Sequence, residues 1–145
     1  MLVPDTNVYI RAAAGSLPEP VAALLDRSLQ FHCSVCLAEL TVGIGAYSPQ
    51  AAGWAVTRRH YAELFAAIPD SRVLPPDAEV WAAAGLVAGT LARTQDFDRS
   101  SRKERLNDAL ILLTAAKAGL VVLTANRDEF DLIQQVAGTG TFLYY

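Results

Sequence analysis

The chain has 145 residues, 52% of them hydrophobic and 19% charged, and a formal net charge of −3. This length and balance fit one globular domain, residues 1–145, with its own core, and argue against a disordered or disulfide-stapled chain. No apolar run approaches the roughly 20 residues that cross a bilayer, and a basic leader is lacking, so the cytoplasm is the expected location; with a negative net charge, nucleic-acid binding would need a local basic patch.

Leu2-Val3-Pro4 reads as a short strand ending in Asp5-Thr6-Asn7, residues that favour turns and helix N-caps. Residues 17–29 carry apolar positions at helical spacing, and Phe31 to Val35 is a brief run of strand formers. From Leu37 the pattern is helical up to Gly43 and Gly45, residues 51–68 predict another helix ended by Pro69-Asp70, and Arg72-Val73-Leu74 predicts a third strand. Asp77 can cap a helix reaching about Arg93, rich in small residues from Ala78 to Ala92 that suit either a dimer contact or close packing within the domain. Residues 94–103 are polar, residues 104–118 are helical with Gly119 as the stop, and Leu120 to Thr124 is the clearest strand. A short helix over 129–136 and a strand over 141–144 complete the chain. Alternating strands and helices predict an α/β fold of three layers with a parallel sheet, whose sites collect at the strands' carboxyl ends.

Four acids stand out against this pattern. Asp5 directly follows the first strand, as a site residue or a cap. Glu39 is the only Asp, Glu, Lys or Arg between Arg27 and Arg58, so no cation near in sequence neutralises it. Asp108 opens onto Ala109-Leu110-Ile111-Leu112-Leu113, apolar on every side, where it is either a buried acid in need of a partner or a helix cap. The last group, Asp128-Glu129, lies in the turn after the strand ending at Thr124. Two carboxylates about 4 Å apart repel by about 4 kcal/mol at an effective dielectric of roughly 20, so a cluster of four must protonate or hold cations. Hard oxygen donors select Mg²⁺ or Mn²⁺, which can activate water for phosphodiester cleavage. Cys33 and Cys36, with His32 and His60 as nearby nitrogen donors, lack a second ligand pair and read as buried thiols rather than a zinc or redox site.

These residues resemble the PIN domain, and in particular the VapC-like toxins of bacterial toxin–antitoxin pairs, over nearly the whole chain. Asp5-Thr6-Asn7 resembles the family's opening Asp-Thr-Asn, and Ser34-Val35-Cys36-Leu37-Ala38-Glu39-Leu40 its Ser-x-x-x-x-Glu-Leu. Asn107-Asp108-Ala109 resembles the third motif, and Thr124-Ala125-Asn126 with Glu129-Phe130 the fourth, usually written Thr-x-Asn-x-x-Asp-Phe. The resemblance implies a three-layer fold with a central parallel sheet of four to five strands and helices on both faces. It further implies Mg²⁺-dependent endoribonuclease activity, a homodimer and a cognate antitoxin. By position, Asp5 and Asp108 would be the principal metal ligands, Glu39 and Glu129 closer or water-mediated ones, and Thr6, Asn7, Thr124 and Asn126 would orient them. Pro4 stands where an aliphatic residue is usual, and Glu129 stands for the usual aspartate, which leaves Asp128 as the alternative fourth acid.

Arg99, Arg102, Lys103 and Arg105 form a basic segment before Asp108, readable as an RNA-phosphate contact or as a solvated loop. Other functions compatible with strand-end acids are a stand-alone nuclease, a phosphotransfer domain and a non-catalytic PIN module. The phosphotransfer reading is disfavoured because no second acid adjoins Asp5.

Overall fold

A computed structural model describes residues 1–95 and 101–145. Its elements in chain order are β1 (Leu2–Pro4), α1 (Thr6–Ala13), α2 (Glu19–Arg27), β2 (His32–Cys33), α3 (Ser34–Ala46), α4 (Trp54–Ala67), β3 (Val73–Leu74), α5 (Ala78–Thr94), α6 (Ser101–Lys117), β4 (Val121–Thr124), α7 (Arg127–Ala137) and β5 (Phe142–Tyr144). The α/β architecture with parallel strands is as expected, but the continuous sheet is smaller. It holds three strands in the order β1-β4-β5, while β2 and β3 form a separate parallel pair.

A single parallel bridge, Leu2 to Gln30, joins the two ladders: Leu2 N–H donates to the Leu29 carbonyl at 3.0 Å and Phe31 N–H to the Leu2 carbonyl at 2.8 Å. The next rung would need an N–H from Pro4, which proline lacks, so the ladder stops there. The Cys36 thiol instead donates to the Pro4 carbonyl at 3.6 Å. The expected sheet of four to five strands is thus divided by one residue.

Alternation along the strands places apolar side chains on both faces. Leu2 and Leu123 pack with Val8 of α1 and Val21 of α2, whereas Val3 and Val122 join the larger core built from α3, α5, α6 and α7. Helix α6 packs against both α5 and α7 and buries Ala109 through Leu113 completely or nearly so, which explains its unbroken apolar run. Asp77 caps α5, accepting from Val80 N–H at 3.0 Å, and Gly119, with φ of 67°, follows α6 in the left-handed conformation expected of a helix stop. Helix α1 is an addition to the sequence reading, which stops at a turn after Asp5. No helix among the described residues is long and apolar enough to cross a membrane.

Candidate metal centre at the strand carboxyl ends

β1 pairs with β4 on one side and meets the separate β2–β3 pair on the other through the Leu2–Gln30 bridge; Asp5 directly follows β1 and Thr124 ends β4, so both lie at the carboxyl-end crevice of the ladder. Asp5 N–H donates to the Leu123 carbonyl at 2.9 Å, which ties the turn to the sheet edge. The Asp5 carboxylate is both the N-cap of α1 and a member of the acid cluster. Its Oδ1 accepts from Thr6 N–H at 2.6 Å, and its Oδ2 accepts from the Thr124 hydroxyl at 2.7 Å and from the Asn7 amide. Asn7 in turn accepts from Ala125 N–H at 3.0 Å, and Thr124 Oγ1 accepts from Asn126 N–H at 2.9 Å. Of the four residues expected to orient the acids, Asn7 and Thr124 bond Asp5 through their side chains, Thr6 bonds it through its backbone N–H, and Asn126 bonds Thr124 through its backbone.

Glu39 is held from two helices: the Thr6 hydroxyl donates to Oε2, and the Asn107 amide donates to Oε1 at 2.7 Å. The role of Asn107 is not visible in its sequence position, because its partner lies on α3. Asp108 sits well inside α6 and not at its start, so it is not a cap. Glu129 accepts from Arg105 at 2.8 Å, whereas Asp128 is exposed in the first turn of α7.

Asp5, Glu39, Asp108 and Glu129 lie within electrostatic reach of one another. Burial, followed by the charges of Glu39 and Glu129, pushes the Asp5 pKa up to about 6 against the hydrogen bonds from Thr124 and Thr6. Burial again, then the charges of Asp5, Glu129 and Glu39, pushes Asp108 up to about 8, against the nearby Arg105. Asp128 is not among the charges acting on either. Among the described residues, no three His, Cys, Asp or Glu side chains converge tightly enough to enclose an ion by themselves.

The basic segment divides. Arg99 lies outside the described residues, as does the side chain of Arg102. Lys103 is exposed, and Arg105 is 9% exposed with its guanidinium against Glu129, within the acid site rather than on a solvated loop. Cys33 and Cys36 are free thiols with no solvent exposure. His32 is bonded to the Tyr9 hydroxyl at 2.6 Å.

The fold and site together define a parallel α/β domain with a carboxylate cluster at the carboxyl ends of its strands. Residues 2–136 match the family model of the PIN domain, and the chain belongs to that family. Similar solved structures include FitAcB from Neisseria gonorrhoeae, at 23% identity and a TM-score of 0.69 over 99% of this chain and 97% of that one. VapBC-1 from nontypeable Haemophilus influenzae is 21% identical with a TM-score of 0.68, over 99% and 96% of the two chains. VapBC-5 from Mycobacterium tuberculosis, a member of the VapBC family of toxin–antitoxin systems, is 24% identical with a TM-score of 0.64, over 99% and 97%. At such identities the likeness is one of fold. No curated protein sequence matches the chain.

Proposed function

We propose that this PIN domain is a Mg²⁺- or Mn²⁺-dependent endoribonuclease acting as the toxin of a toxin–antitoxin pair. The observation that carries the reading is the pair Asp5, buried, and Asp108, half-buried, two carboxylates whose proton affinity is raised first by desolvation and then by neighbouring acids, Glu39 and Glu129 acting on both and Asp5 acting on Asp108. Such a set is costly in isolation and is relieved by a divalent cation. A bound Mg²⁺ would supply Lewis acidity and an activated water for attack on a phosphodiester.

The chain's own residues prepare that site. The Thr6 backbone N–H and the Asn7 and Thr124 side chains hold Asp5 in place and leave one acceptor site, on Oδ1, for an ion or its water. Thr6 and Asn107 fix the Glu39 carboxylate, so it can accept a hydrogen bond from a water without rotating. Arg105 offsets the negative charge at Glu129 and acts on Asp108, and in this reading it would also counter charge gathering on a phosphate held at the acids.

The toxin reading and the antitoxin partner follow from the likeness to VapBC assemblies. A homodimer is supported by the outward side of α5, where Leu86 is 75% exposed between the exposed Gly85 and Gly89 while Ala84, Val87, Ala88 and Leu91 face the core. The expected location is the cytoplasm, where RNA is made and read.

The test is cleavage of single-stranded RNA with added Mg²⁺ or Mn²⁺ and with EDTA, alongside growth on expression without an antitoxin. The expected result is cleavage that EDTA abolishes, and growth arrest that Asp5→Asn relieves. Full activity in EDTA contradicts the mechanism, and normal growth with active soluble protein contradicts the toxin role.

A further inference from the structure

We propose that the cavity beside Glu39 receives one unstacked nucleobase of a single-stranded RNA substrate, with Trp81 as its stacking surface and Lys103 as the contact for the adjoining phosphate. The inference rests on RNA being the substrate. The cavity lies between α3, α5 and α6 and has a volume of about 640 Å³, within the roughly 300–1,000 Å³ of small-ligand pockets.

Its position ties it to the chemistry. Glu39 and Asn107 line it, and the Asn107 amide donates to Glu39 at 2.7 Å, so an occupant lies directly beside one of the four acids. Val35, Val42 and Pro76 supply apolar wall, and Trp81 is 49% exposed there. A half-exposed indole beside an apolar wall matches the planar, mostly apolar face of a base, and stacking of that kind is the main source of single-strand affinity. The polar groups fall where a base and its phosphate need them. Ser34 and Asn107 can meet the base edge, and exposed Lys103 stands on the same wall for the phosphate. Glu104 also lines the cavity, and its carboxylate can accept from an exocyclic amine but repels a phosphate, which leaves that contact to Lys103.

The test uses the full chain with Mg²⁺ and labelled single-stranded RNA oligonucleotides of mixed sequence. Trp81→Ala should raise KM about tenfold or more while changing kcat far less, and Trp81→Phe should stay near wild type. Trp54 and Trp81 are the only tryptophans, so the Trp54→Phe, Asp108→Asn protein reports on Trp81 alone without cutting the RNA. Single-stranded RNA should quench its fluorescence saturably, and a duplex of the same sequence should not. Unchanged KM in Trp81→Ala, or RNA binding without quenching, overturns the inference while leaving the nuclease reading intact. A wild-type protein that cuts no RNA overturns both. Unchanged RNA kinetics in Trp81→Ala with lost growth protection by the cognate antitoxin would assign the cavity to that protein and overturn the base pocket.

Discussion

Asp108 bears the greater of the two large pKa displacements at the acid site, and its cause can be separated experimentally. Its folded pKa of about 8 lies above the ordinary 3.8 because burial and three neighbouring acids disfavour the charge. The metal-free folded state therefore holds this proton more tightly than the unfolded chain between about pH 4 and pH 8, and stability falls as pH rises through that window. Asp108→Asn should accordingly raise the Tm of metal-free protein at pH 8, with the gain shrinking toward zero near pH 4, and should abolish cleavage. A lower Tm at pH 8 would mean that the carboxylate is structurally required. The two candidate fourth acids differ in placement in the same way. Glu129 is partly buried, acts on both Asp5 and Asp108 and pairs with Arg105, whereas Asp128 is exposed. Glu129→Gln should lower metal affinity and cleavage by at least about tenfold, by analogy with losses on removing groups that support a metal site, and Asp128→Asn should remain near wild type. The opposite ranking, read by metal titration and cleavage rate, would assign the role to Asp128.

At the scale of elements, short-range signals placed the strands better than the helices. Helix α5 with its Asp77 cap and strand β4 fall close to their expected bounds because caps, stops and apolar periodicity are local. Helix α1 was missed because a strand-end Asp-Thr-Asn reads equally as a turn, and only the hydrogen bond from Thr6 N–H to Asp5 shows it as a cap. Strand β5 depends on a close approach as well as on its own pattern. Gly140 has φ of 96°, and a Cβ there would lie 2.7 Å from Cγ of the fully buried Leu112 on α6. Gly140→Ala should therefore destabilise the fold by about 2 kcal/mol, through backbone strain and overpacking together. An unchanged denaturation midpoint would show that β5 can move away from α6 at little cost.

For the whole molecule, the parallel α/β class was legible in the sequence, and the four candidate acids could be picked out there, since strand ends and charges interrupting apolar runs are written in neighbouring residues. Asp5 and Thr124 could be assigned to the carboxyl edge because the first directly follows a recognisable strand and the second ends one. The division of the sheet was foreshadowed only as an unusual Pro4, because a missing N–H matters solely when another strand comes alongside to accept from it. Three features were decided by tertiary structure alone. Asn107 on α6 holds Glu39 on α3, Arg105 turns inward to Glu129 instead of joining a solvated basic segment, and the cavity of Trp81 opens beside the acids. Each joins residues far apart in the chain, so no local pattern encodes it: hydrogen bonding, desolvation and Coulomb coupling depend on distances that exist only once α3, α5, α6 and α7 have packed.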